Sequence, residues 1–432
     1  MTIIKRIYMA VAGVLLMAGC CNTVYTVTVT NPAGFDRHPE MVELSMSDVA
    51  SALSLAENDT FVVKDENDNE VPYQVTSDEK LIFQVQMKAS SKADYHICKG
   101  QPAVYETLVF GKQFPERLDD FVWENDLVGF RAYGPALQAK GERGFGYDLF
   151  TKRGTRQPVL ADFYELAVGE RTRKRYKELL AEDPQKARDY KLDTMTFHVD
   201  HGYGMDVYAV GPTLGAGVTA LMDEGMIFPW CYKEYEIIEN GPLRFSFKLT
   251  FNPVKVGADE NVVEARVITL DAGSYLNHTS VSYSNLTCDR ELAAGIVLRD
   301  KDGKETAELS KGYIAYPAPS MNFDSRNLNP DNGTHFVGHV YPAAMKEAKT
   351  VYYSDQESQE LRGGAAGHIL AFADYHPGDQ FDYYWGFGWD HSEMKTYQQW
   401  ISYLETFSQM VNNPLVVTVE YNSLKLIKLI NY

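Results

Sequence analysis

The stretch HVDHGYGMDVYAVGPTLGAG, His198 to Gly217, is the one from which the fold is read. It carries two histidines, two aspartates, two tyrosines and five glycines in 20 residues. Just upstream, TMTFHVD (194–200) alternates, with Met195, Phe197 and Val199 on one side and Thr194, Thr196, His198 and Asp200 on the other. That two-residue period predicts a half-buried strand. Gly202 and Gly204 predict a tight turn, and MDVYAV (205–210) resumes the alternation before a second glycine-rich bend. A strand that delivers imidazole and carboxylate to a glycine-lined loop reads as the edge of a site. The plainer reading pairs His198 with Asp200 on a polar sheet face and lets His201 cap a turn.

Outward from there the chain is rich in strand patterns. VPYQVT (71–76), KLIFQVQM (80–87), ADYHIC (93–98), VVEARVITL (262–270), SYLNHTSVSYS (274–284) and PLVVTVEYN (414–422) alternate or run apolar between turn residues. Residues 162–193 lack alternation, are rich in helix formers and predict a helical insertion. Met394, Tyr397, Trp400, Ile401, Leu404, Phe407 and Val411 recur at helical spacing. The expected fold is therefore mainly β, a large antiparallel sandwich over 104–423. It would carry the insertion at about 162–193, a helix at about 393–411, and a small N-terminal β-module over 20–103.

The net charge of −18 disfavours nucleic acid as a partner. ERTRKRYKELL (170–180) alternates charge signs at helical spacing and reads as a solvated helix face. The 28 tyrosines and 21 phenylalanines suit sheet faces and also sugar clefts, where apolar sugar faces pack on rings. Lys5 and Arg6 precede an apolar run to Met17, and Ala18-Gly19-Cys20 follows. That is a secretory signal, and its end resembles the lipobox of bacterial lipoproteins, with Cys20 as the lipidated residue. Residues 1–19 are excluded from the fold. The expected location is the bacterial cell envelope, anchored by lipid to the outer membrane. No acidic run follows Cys20, which favours a periplasm-facing anchor.

FPERLDDFVWENDLVGFRAYGPAL (114–137) is dense in ligand-contacting groups: Arg117, Asp119, Asp120, Trp123, Glu124, Asn125, Arg131 and Tyr133. Its plainer reading is a surface turn knitted by Arg117. Trp230 lies in an aromatic strand region. Trp385 and Trp389, in FDYYWGFGWDH (381–391), are expected on a glycine-bounded loop as platforms.

Five segments resemble the domain-of-unknown-function family numbered 4861: PERLDDFVWENDLVGFRAYGPALQ, FHVDHGYGMDVYAVGPTLGAG, CYKEYEIIENGPLRF, LDAGSYLNHTSVSYS and YYWGFGW. The resemblance covers about 25–420. It implies a Bacteroides-type saccharide-utilisation lipoprotein that works on uronate-containing, pectic plant oligosaccharides. The family's β-rich pattern is similar to the supersandwich of galactose-mutarotase-like proteins and lyase domains. It implies no catalytic residues, so these are assigned from chemistry.

β-Elimination at a uronate needs a cation for the carboxylate, a base for the C5 proton and an acid for the leaving oxygen. Arg117 or Arg131 can clamp, His198 or His201 can act as base, and Tyr133 or Tyr203 as acid, with Asp200 and Asp206 beside them. Hydrolysis instead needs two flanking carboxylates, for which Asp119, Asp120, Glu124, Asp200 and Asp206 are candidates. Elimination is slightly favoured; a sugar epimerase would use the same groups. The alternative class is a non-catalytic glycan-binding lipoprotein using Trp123, Trp230, Trp385 and Trp389. Neither reaction requires a cofactor. A divalent metal on His198, Asp200, His201 and Asp206 needs the loop to turn His201 round, and Asp119 with Asp120 and backbone carbonyls would suit calcium.

Overall fold

An alternating strand has one apolar face to bury, and this chain buries its strands in two sandwiches. The computed structural model describes residues 24–421 and 424–429, with side-chain surroundings up to 420. The expected signal sequence and Cys20 lie outside the described residues. The fold is mainly β, and its sheets are antiparallel.

The larger sandwich is built on a 9-stranded sheet. Its spatial order is Tyr232–Asn240, Arg244–Phe251, Asp259–Asp271, Leu276–Ser284, Gln380–Trp389, Thr334–Val340, Tyr313–Pro319 and Thr306–Glu308, with Val254–Val256 paired to Asp259–Asp271. Two 4-stranded sheets share its core. One contains Val218–Met222, Arg290–Leu298, Gly367–Tyr375 and Glu347–Tyr352; the other contains Phe110–Phe114, Asp120–Glu124, Gly129–Ala132 and Asp148–Phe150. The join is aromatic: Trp385 of the large sheet stacks on Tyr147 at 4.5 Å and meets Phe130 edge-on at 5.0 Å. Along Asp259–Asp271 the pattern sends Val262, Glu264, Arg266, Ile268 and Leu270 inward. The buried charges among them are paired, Arg266 with Glu264 at 2.5 Å and with the Tyr147 hydroxyl at 3.0 Å, as burial of charge requires.

The smaller sandwich has a 6-stranded sheet around Val24–Thr30 and a 3-stranded sheet of Glu40–Ser45, Lys80–Val85 and Tyr73–Val75. Here the backbone departs from the sequence reading. Strand Val416–Tyr421 pairs with Val24–Thr30, from Thr26↔Glu420 to Thr30↔Val416, so the chain's end completes the sheet its beginning started. The two sandwiches are tied by Arg37, buried and bonded to Glu40 and the Met410 carbonyl, and by Arg244, which pairs with Glu43 at 2.6 Å. Helix Tyr397–Asn412 is started by a Thr396–Gln399 capping box and buries Trp400, Tyr403, Leu404, Phe407 and Met410.

Two expectations need correcting. TMTFHVD is not a strand. Helices Leu160–Val168, Glu170–Glu182 and Pro184–Tyr190 run into a π-helical turn, Lys191–Met195, and 196–204 is a loop. It closes on itself through the Asp206 amide, which donates to the Phe197 carbonyl at 2.8 Å. Nor is FDYYWGFGWDH a loop; Gln380–Trp389 is an inner strand of the large sheet. Its glycines serve close packing, since a Cβ at Gly386 would lie 2.0 Å from the Tyr275 carbonyl oxygen.

Candidate functional site

Arg131 and Asp148 face each other across adjacent strands in register. Asp120 begins the next strand, and Tyr164 reaches it from helix Leu160–Val168. Segment 197–206 contributes Phe197, His198 and Asp206. These elements enclose a second, smaller core of Phe114, Val122, Phe150, Phe163, Tyr164 and Phe197. At its polar centre Arg131 Nη2 donates to Asp148, and to Asp206 Oδ2 at 2.8 Å, while Nη1 lies 3.6 Å from Asp120 Oδ2. The Tyr133 hydroxyl donates to Asp148 at 2.6 Å and the Tyr164 hydroxyl to Asp120 at 2.9 Å. Tyr133, Phe150 and Phe197 surround the guanidinium at 4.9–5.5 Å. Three buried carboxylates around one arginine cannot all ionise cheaply. Burial, with Asp148 adding to it, holds Asp206 well above the usual carboxylate range. Burial also raises Asp120. Asp148 and Asp206 outweigh burial on Arg131 and keep it cationic.

His198 stands at the edge of this cluster. Its Nδ1 lies 2.7 Å from the Asp206 carbonyl oxygen and can only donate there. That assigns the proton to Nδ1 and the lone pair to Nε2. The side chain keeps 27% exposure, and Phe323 packs on its ring at 4.6 Å. Burial, with Arg131 adding to it and the Asp206 carbonyl opposing, lowers the imidazole to about 4. Arg117, from the turn Pro115–Arg117, shares the Phe197 ring with Arg131, 5.8 Å from its centroid. Arg117 is half-buried and forms no ion pair among the described residues.

The structure thus gathers Arg131, Tyr133, Asp120, Asp206, His198 and Arg117. It disperses the rest of the sequence candidates. Asp200 closes a turn, accepting from the Gly202 and Gly204 amides and pairing with Arg153 at 2.6 Å. His201 bonds the Thr196 carbonyl at 2.9 Å, away from His198's partner. The four groups proposed for a metal therefore do not converge. Asp119 accepts from the Ala136 amide at 3.1 Å, whereas Asp120 accepts from the Tyr164 hydroxyl. Glu124 is buried on Lys152 at 2.6 Å and accepts from the Val159 and Leu160 amides. Asn125 is spent on four backbone groups. Trp123, Trp385 and Trp389 are buried, their indole N–H groups donating to Asn277, Thr279 and the Asn332 carbonyl. They are core, not platforms. Trp230 alone of these four is open, 52% exposed beside Phe145 and Phe228. Tyr203 is exposed on the His198 turn.

Four further residues carry weight that the sequence did not signal: Asp148, Tyr164, Tyr208 and His335. The Tyr208 hydroxyl and His335 Nε2 are buried without hydrogen-bond partners among the described residues, and their rings meet edge-on at 5.5 Å. Burial pushes His335 down to about 4 and Tyr208 up. Tyr208 follows Asp206 by two residues, which in an extended segment is the same side.

Residues 29–417 match the family described as "Domain of unknown function (DUF4861)". The chain belongs to that family. A DUF4861 relative by sequence is "Uncharacterized protein P7" of Formosa agariphila, 26% identical over 414 residues, covering 91% of this chain and 93% of that one. Two solved structures from Enterococcus faecalis are similar to parts of the fold. One is an alpha-mannosidase of strain V583, at 10% identity and TM-score 0.45, covering 92% of this DUF4861 chain and 46% of that one. The other is a glycosyl hydrolase family 38 protein, at 9% identity and TM-score 0.43, covering 92% and 47%. The chain spans about half the length of both.

Proposed function

We propose that the chain is a carbohydrate-active enzyme that opens uronate-containing, pectic oligosaccharides by β-elimination. One observation carries this reading: His198 is held as a neutral imidazole, Nδ1–H on the Asp206 carbonyl, with Nε2 unbonded among the described residues and the side chain 27% exposed. A neutral imidazole at pH 7 can take the C5 proton of a uronate. Arg117, on the neighbouring Phe197 ring and without a close ion pair among the described residues, supplies the guanidinium that binds the carboxylate and stabilises the enolate as charge develops. Arg131 is not the clamp, because Asp148 and Asp206 already hold it; it positions Asp206, and Asp206 positions His198. Tyr133 is likewise committed to Asp148, and burial, followed by Asp148, raises its hydroxyl. That leaves Tyr203, exposed on the same turn, to protonate the leaving oxygen.

Hydrolysis by a carboxylate pair fits less well. Asp120, Asp148 and Asp206 all face Arg131, while Asp119 and Asp200 accept from backbone amides. The glycan-binding alternative draws on Trp230 with Phe145 and Phe228, and gives His198 no task. Attachment through a lipid on Cys20, facing the periplasm, belongs to the same proposal.

The test is to incubate protein lacking residues 1–21 with uronate oligosaccharides, following unsaturated-uronate absorbance and product masses. Rising absorbance without water gained is expected, and it should vanish in His198→Gln. Water-gaining cleavage would replace elimination with hydrolysis. Hydrogen exchange at C5 without cleavage would mean an epimerase, and retention without any product a binding protein.

A further inference from the structure

Two clefts meet on the side of the molecule where helix Tyr397–Asn412 begins. One, of about 570 Å³, has walls that include Lys152, Arg153, Arg156, His391 and Lys395. The other, of about 620 Å³, is walled by His38, Gln84, Gln398, Ser402 and Tyr403. Both count Asp126, Leu127, Arg156, Tyr275 and Glu393 in their walls, so they form one continuous groove. Each half is in the size range of small-molecule sites.

We infer that this groove holds the non-reacting end of an anionic oligosaccharide whose reacting unit sits at His198. The inference rests on the reading of His198 given above.

Three observations carry it. First, the near end of the groove abuts the candidate site. Arg153 in its wall pairs with Asp200 at 2.6 Å, two residues beyond His198. His391 in its wall lies 3.3 Å from Asp331, in the same loop as Phe323, which packs on His198. The turn and loop that carry His198 and Phe323 thus also touch the near wall of the groove. Second, its near half sets Lys152, Arg153, Arg156 and Lys395 against Asp126 and Glu393, more cations than acids in its wall, in a chain of net charge −18. Lys152 is neutralised by Glu124, but Arg153 and Arg156 keep about half their side chains open beyond their own pairs. Lys395 is exposed and forms no ion pair among the described residues. Open cations in an acidic protein select carboxylates of an acidic sugar rather than a neutral one. Third, the far half offers what sugar hydroxyls bind. Gln84, Gln398 and Ser402 bring amides and a hydroxyl, Tyr275 and Tyr403 bring rings, and His38 stacks on Tyr403 at 4.2 Å. His38 and Gln84 come from the smaller sandwich, so the groove exists only because the two sandwiches are docked.

The experiment compares oligogalacturonates of two and six units on the whole mature protein. With wild type, kcat/KM for the six-unit chain should exceed that for the two-unit chain by about tenfold, the worth of one good charged contact. In Lys395→Ala/Gln398→Ala that ratio should fall towards one. A length gain that survives in the double variant overturns the inference, and so does a wild type indifferent to length. If neither chain is turned over, elimination at His198 fails. The groove is then judged by calorimetric binding of the six-unit chain: binding that the double variant loses supports it, and no binding by wild type overturns it.

Discussion

Replacing Arg131 by methionine should strip three buried carboxylates of the cation they are paired with, leaving only Arg117, outside ion-pair distance, to act on Asp120 and Asp206. Methionine keeps an aliphatic stem against Phe150 and Phe197, so packing is largely spared. The guanidinium is what disappears, with its bonds to Asp148 and Asp206 and its approach to Asp120. Removing one partner of a buried ion pair costs about 3–5 kcal/mol, because the other charge stays buried and uncompensated. The carboxylates can escape only by binding protons. Asp206 already sits above the usual range through burial, then Asp148, and losing Arg131 moves it and its neighbours higher. A carboxyl whose folded pKa is raised above the unfolded value of about 3.9 stabilises fully only below that value. Its contribution is lost as pH rises through the folded pKa. The deficit of Arg131→Met should therefore be near about 3–5 kcal/mol at pH 8 and smaller by about one or two at pH 5. Urea unfolding at both pH values, followed by fluorescence of the buried Trp123 and Trp385, reads it directly. A deficit below about 1 kcal/mol at pH 8, or one independent of pH, would mean that water hydrates these carboxylates. The view of a dry, shared-proton cluster would then be wrong.

Other expectations follow from the same geometry. Trp385→Ala should cost about 3–5 kcal/mol in the same assay, since it empties the aromatic join between the sheets. Trp230→Ala should change stability by less than about 0.5 kcal/mol; equal stability losses would contradict the assignment of core and surface. If His198 is the base, kcat/KM should fall as pH drops through about 4, where the lone pair is protonated, rather than near the ordinary histidine value. An acid limb centred near pH 6.5 would place the base elsewhere. Gly204→Ala should destabilise by more than about 1 kcal/mol, because φ is +117° and the new Cβ would meet the Thr151 carbonyl oxygen at 1.9 Å.

Much of the fold was readable because strands advertise themselves by alternation. In VVEARVITL the period is so regular that even Glu264 and Arg266 fall inward, and the structure seats them there as a pair. Where reading failed, the local signal had two physical causes open to it. TMTFHVD alternates like a strand, yet it follows three helices whose last turn cannot pass straight into a ladder, so the same residues pack as a loop. Trp385 and Trp389 sit among glycines, which in sequence mean turns. In space those glycines admit the backbone of Leu276–Ser284 and the side chain of Met394. The candidate site shows the same limit more sharply. Arg131, Tyr133 and His198 could be named from residue type. Their roles depend on Asp148, which nothing in GYDLF distinguishes, because what matters is its cross-strand position opposite Arg131. That pairing converts Arg131 from a clamp into a support and leaves Arg117, on the same phenyl ring, as the cation without a close ion pair among the described residues. Charge type is local to a residue, but whether a charge is available is a property of its neighbours.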